Sequence, residues 1–149
     1  MANPKNKRII QASGVVAAIV AAFIAREAVA HLFSKQQPNV RSRAYLTQVA
    51  AEANKTTPSM VDKETELTTM TGLDGVFVYN YRLVSYTKAN LNVPKLLANL
   101  QPAVVHSACT TPATRDTFLK RGVVLRYSYV DKDQAFLTSL DVAEADCAH

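Results

Sequence analysis

The stretch KNKRIIQASGVVAAIVAAFIAREAVAHLF constrains everything around it. Residues 9–25 form a run of 17 without a charge. A helix rising about 1.5 Å per residue makes that run about 25 Å long, slightly short of a hydrocarbon core of about 30 Å. Continuing the helix to Phe33 supplies the missing length. Arg26 and Glu27 then fall near one interface, where an arginine can snorkel. Residues 9–33 therefore read as a single transmembrane helix. A cleaved signal peptide competes with this reading. It would have a basic start, an apolar middle and a small-x-small site at Ala28-Val29-Ala30. Arg26 and Glu27, inside what should be a neutral cleavage region, argue against it. A buried soluble helix is the third reading.

The formal net charge of +5 invites a nucleic-acid partner. Lys5, Lys7, Arg8 and Arg26 against Glu27 put +3 of it in residues 1–33. The remainder of the chain is nearly balanced and carries no basic stripe interleaved with aromatics, so no nucleic-acid surface is expected. Lys5, Lys7 and Arg8 instead favour a cytoplasmic N-terminus. Lys35, Arg41 and Arg43 beyond the apolar run weaken that contrast. The expected address is the inner membrane, single-pass, with the C-terminal domain outside the cytoplasm. The lipid bilayer and other membrane or periplasmic proteins are its expected partners. Gly14, Ala18 and Ala22 fall four apart, as helix-packing faces in membranes do.

Residues 1–8 are thus a cytoplasmic start, 9–33 the membrane helix, 34–58 a linker and amphipathic helix, and 59–149 a folded domain. Pro38 suits the first turn of the amphipathic helix, whose face is Val40, Ala44, Val49, Ala50 and Ala53. Asn54-Lys55-Thr56 matches a glycosylation sequon, a pattern frequent by chance. TELTTMTGLDGVFVYNYRLVSY predicts a hairpin turning at Asp74-Gly75, with Phe77, Tyr79, Tyr81 and Leu83 on one face. NVPKLLANLQPAVVHSAC predicts a helix capped by Asn92 and kinked or split at Pro102. A second helix opens at Thr111-Pro112 and stops at Gly122. VVLRYSYVDKDQAFLTSLDV predicts a second hairpin. The expected fold is α+β, an antiparallel sheet of about four strands in two hairpins with helices on one face.

Two cysteines remain to be placed. Cys109 ends a predicted helix, and Cys147 lies in a tail that would otherwise fray. A bridge across 38 residues would contribute roughly 4 kcal/mol in the chain-entropy model and pin that tail. A zinc shell with His106 and His149 and a catalytic Cys109–His106 pair are the alternatives. The bridge is the preferred reading, and it implies an oxidising compartment. No nucleophile elbow, zinc-protease motif or phosphate-cradling loop occurs, and the chain has only four glycines. The acidic residues of VDKETE and DKDQ read as solvated turn charges. Neither an activity nor a cofactor is expected. Tyr79, Tyr81, Tyr127 and Tyr129 repeat at i, i+2 on two predicted strands. They read as core beneath the helices or, alternatively, as a binding face.

The stretches MVDKETEL, VYNYRLV, ACTTPATRDTFLKRGVVLRYSYVDKD and VAEADC are similar to patterns that recur, in this order, in a group of small proteobacterial proteins with one N-terminal membrane segment. The chain resembles that group over residues 57–147. The resemblance implies the same topology and a Cys109–Cys147 pairing, and it carries no activity. A looser likeness is to type IV pilins, with Gly14 ending a short basic leader; Ile19 stands where pilins carry a glutamate. The expected role is a non-catalytic accessory or structural subunit of a membrane or envelope complex. A ligand- or peptide-binding module and a pilin-like secretion component are the alternatives.

Overall fold

The computed structural model describes residues 39–147. The apolar run and Gly14, Ala18 and Ala22 lie outside them, as does Pro38. Among the described residues no helix is long and apolar enough to cross a membrane. Helix α1 (Arg43–Ala53) starts later than Pro38 would suggest, because the Ser42 side chain accepts from the Tyr45 N–H and caps it. Its buried face is Leu46, Ala50 and Ala53; Ala44 is exposed, and Val40 is buried ahead of the helix. The i, i+4, i+7 spacing of those three residues carries the helical period.

The sheet has five strands in the order β1 (Ser59–Met60), β2 (Thr65–Leu73), β3 (Val76–Leu83), β4 (Val124–Val130) and β5 (Phe136–Val142). Both predicted hairpins are present as β2–β3 and β4–β5. Gly75 takes the left-handed conformation at the first turn, with φ 72°. The expected all-antiparallel sheet is corrected on one point. The hairpins join through β3 and β4, and this central pair is parallel. The physical reason is the connection. Helices α2 (Val93–Thr110) and α3 (Pro112–Thr117) carry the chain from the end of β3 back to the start of β4, as a parallel crossover requires. The additional strand, β1, is a two-residue edge on β2.

Asn92 caps α2 by accepting from the Lys95 N–H at 3.0 Å. The predicted break at Pro102 does not occur; α2 is one helix of 18 residues. Ala98 and Pro102 are both exposed, so the carbonyl left without its donor sits on the solvated side. Thr111 occupies the cap of α3 without a side-chain bond, and Gly122 ends the following turn with φ 76°. Both helical layers lie on one sheet face. α1 rides on β2 so closely that a Cβ at Gly72 would meet the backbone of Leu46 and Thr47. The Asn54 amide continues the β2 edge: it accepts from the Met70 N–H at 2.6 Å and donates to the Met70 carbonyl at 2.8 Å. α2 lies along β5 at the other side of the sheet.

Candidate functional site

The parallel pairing sets the tyrosines in one block. Tyr79 lies opposite Tyr127, and Tyr81 opposite Tyr129. Both cross-strand pairs stack with ring centroids 5.1 Å apart, and Tyr81 also lies parallel to Tyr127 at 6.4 Å. The row continues through Phe77, whose edge meets Tyr79 at 5.2 Å and whose face stacks on Phe118 at 5.0 Å. Phe118 follows α3 and closes the row at the start of β3. Sequence reasoning left these rings between core and binding face. The structure puts Tyr79, Tyr81 and Tyr129 in the core and leaves Tyr127 half-buried at its margin.

Helices flank this aromatic floor. Tyr45 and Val49 of α1, and Leu96, Leu100 and Val104 of α2, are half-buried against the same core. Of the residues of α2 only Ala108 is fully buried, and Leu97 is also half-covered. The aromatic row is thus closed over, and the half-buried apolar residues of α1 and α2 lie at its margins. The Leu96, Leu100, Val104 period was present in the sequence but could not be assigned to a place in the fold until α2 was placed beside β5.

Burial pushes the hydroxyls of Tyr79, Tyr81, Tyr127 and Tyr129 above the ordinary tyrosine range, so all four are neutral donors. The Tyr79 hydroxyl is buried and has no hydrogen-bond partner among the described residues. The outer sheet face differs in kind. There Arg126 forms a two-point pair with Asp141, both bonds 2.7 Å, and Arg82 pairs with Glu66.

The turn between β4 and β5 holds a residue that sequence reasoning placed wrongly. Asp131 in DKDQ is 2% exposed, not a solvated turn charge. Its carboxylate accepts from the Lys88, Asp133 and Ala135 N–H groups at 2.7, 2.9 and 2.8 Å. The Lys88 bond first, and the other two with it, hold its carboxyl below the ordinary value. It ties the loop after β3 to the β4–β5 turn. The missed signal was the D-x-D-x-A turn spacing, which lets one carboxylate collect its own loop's amides.

Cys109 and Cys147 are bridged, with Cα atoms 5.3 Å apart. The bond joins the last turn of α2 to the turn after β5. Both thiols are therefore taken, which removes the zinc shell and the Cys109–His106 pair; His149 lies outside the described residues. No group of three potential metal ligands occurs among the described residues.

Comparison with protein-family models and with curated proteins yields no match. Solved structures share the fold. A Pseudomonas aeruginosa protein described as secreted has 16% identity and a TM-score of 0.61, over 76% of this chain and 99% of its own. The pilotin EpsS of the Vibrio vulnificus type 2 secretion system has 12% identity and a TM-score of 0.58, over 72% of this chain and 92% of its own. The type II secretion pilotin AspS of Vibrio cholerae has 12% identity and a TM-score of 0.54, over 70% and 91%.

Proposed function

We propose that this chain is a non-catalytic accessory component of a bacterial envelope secretion machine, binding a partner protein through the part-covered apolar residues of α2. The observation that carries the reading is α2. It is an 18-residue helix whose apolar residues Leu96, Leu97, Leu100 and Val104 stay half-covered, with Tyr127 half-buried on the same sheet face. A helix that only served the core would bury that face. The fold shared with two secretion pilotins supports the process. Residues 9–33 would hold the domain to the inner membrane, with the N-terminus cytoplasmic and the domain in the periplasm, a compartment compatible with the disulfide. Gly14, Ala18 and Ala22 would pack that helix against a membrane neighbour.

The test is purification of the full chain from its own membranes in mild detergent, with mass spectrometry of what co-elutes. A stoichiometric secretion component is expected. Leu97→Asp and Tyr127→Ala should release it while circular dichroism stays unchanged, and Arg126→Ala on the outer face should retain it. Retention by both variants would sink the α2 surface. Elution of the native chain alone would sink the subunit reading. Gly14→Leu tests the membrane contact separately.

A further inference from the structure

The two edges of the sheet are finished differently. At the β2 edge Ser59 and Met60 pair with Leu67 and Glu66, and the Asn54 amide takes both main-chain groups of Met70. The Thr47 hydroxyl donates to the Gly72 carbonyl at 3.3 Å. The β5 edge has no such cover. The Val124 N–H donates to the Gly75 carbonyl, so the main chain of Val124, Arg126 and Ser128 bonds towards β3. That of Leu125, Tyr127 and Tyr129 bonds towards β5, where Val142, Leu140 and Thr138 answer it. Ser139 and Asp141, between them, therefore turn their N–H and C=O groups to the open side. Both residues are exposed, and among the described residues nothing bonds these groups. The devices that guard edges are absent too. FLTSLDV has no lysine or proline, and its bulge, at Leu137, lies ahead of the open stretch. Its one charge, Asp141, is paired with Arg126. The stretch ends at Ala143, whose N–H donates to the Asp146 carboxylate at 2.8 Å.

Helix α2 stands over this edge. It packs on β5 and on the turn that carries Cys147. The two elements run the same way, because α2 returns from the end of β3 and β5 is antiparallel to β4. Eighteen residues of helix span about 27 Å and seven of strand about 23 Å, so their lengths match. A helix about 10 Å across, seated on an outermost strand, projects about 5 Å past it, the width of one further strand. An overhang of that width accounts for the apolar residues of α2 that the sheet leaves part-covered. Leu96, Leu100 and Val104 reach the core, and Leu97 is half-buried outside it.

We propose that the partner protein adds an extended segment to β5 as a sixth strand, beneath the overhanging side of α2. Ser139 and Asp141 each exchange an N–H and a C=O with it. The segment alternates in character. Its apolar residues turn towards α2, and its polar residues lie beside Ser139 and Asp141 on the helix-free face. This rests on the partner-binding reading above, and adds to it the edge that is used and the conformation of what binds.

The test compares complexes purified in mild detergent from membranes carrying the native full chain or Ser139→Pro. Proline is tolerated in an edge strand where its missing N–H faces outward, so the circular dichroism should not change. It removes one outward donor and sets a ring where the sixth strand would lie. The partner that co-elutes should fall on the order of tenfold. A second measurement does not depend on the variant. In the native complex the Ser139 and Asp141 amides should exchange on the order of a hundredfold more slowly than in uncomplexed chain from an overexpressing strain. Full retention by a folded Ser139→Pro, or equal exchange of those amides, overturns the sixth strand. If Leu97→Asp still releases the partner in that case, the α2 surface stands without it. A second copy of this chain protecting the same amides overturns a foreign segment as the occupant. Elution of the native chain alone overturns both the strand and the reading it rests on.

Discussion

Single side chains show where the fold serves stability and where it does not. The Tyr79 hydroxyl is buried without a partner among the described residues, an arrangement that costs about 1–3 kcal/mol. Tyr79→Phe keeps the stack on Tyr127 and removes the orphan. It should raise the free energy of unfolding by about 1 kcal/mol in a urea titration; a loss of stability would mean that the hydroxyl already has a partner. If the same variant weakens partner retention, the hydroxyl is kept for binding. Asp131 is the reverse case, a buried carboxylate with three backbone donors. Its carboxyl is held below the ordinary value of 3.8, so the ionised form belongs to the folded state. The stability it contributes is complete above 3.8 and is lost as pH falls through the lower folded value. Asp131→Asn should therefore flatten the acid limb of a stability-against-pH curve below about pH 4. An unchanged acid limb would remove Asp131 from that role.

At the scale of elements, α2 departs most from its own sequence. Pro102 predicts a break, and the helix continues because the unmatched carbonyl faces water and the Cys109 end is anchored. Restoring the missing donor with Pro102→Ala should stabilise the chain by up to about 3 kcal/mol, read as a higher thermal midpoint. Destabilisation would show that the proline sets the helix's course along β5. The hairpin elements needed no such correction. Asp74-Gly75 and the alternation from Phe77 to Leu83 specify β2–β3 locally, since turn chemistry and a period of two determine strand ends and faces. Leu46 of α1 was missed because Val40 and Ala44 also fit the period. Only the cap at Ser42 decides where the helix begins.

On the scale of the whole molecule, the Cys109–Cys147 bridge links the helical layer to the end of the sheet. Removing it with Cys109→Ser and Cys147→Ser should lower the unfolding free energy by about 4 kcal/mol. Equal stability of the variant and the oxidised chain would mean that the tail is held by packing alone. The bridge, the two hairpins and the helix pair were legible in the sequence, because each rests on contacts local in the chain or on residue chemistry. The parallel pairing of β3 with β4 was not. Each hairpin's own signals satisfy only its own turn, and the pairing that stacks Tyr79 on Tyr127 joins residues 48 apart. Likewise, Asp131 looks like any turn acid until the loop carrying Lys88 is folded over it. The sequence by itself determined the elements, their apolar faces and the covalent staple, through short-range sterics, turn chemistry and hydrophobic period. Only the tertiary structure decided which faces meet, because the burial of the tyrosines and the place of α2 beside β5 both depend on the crossover that returns the chain to the start of β4.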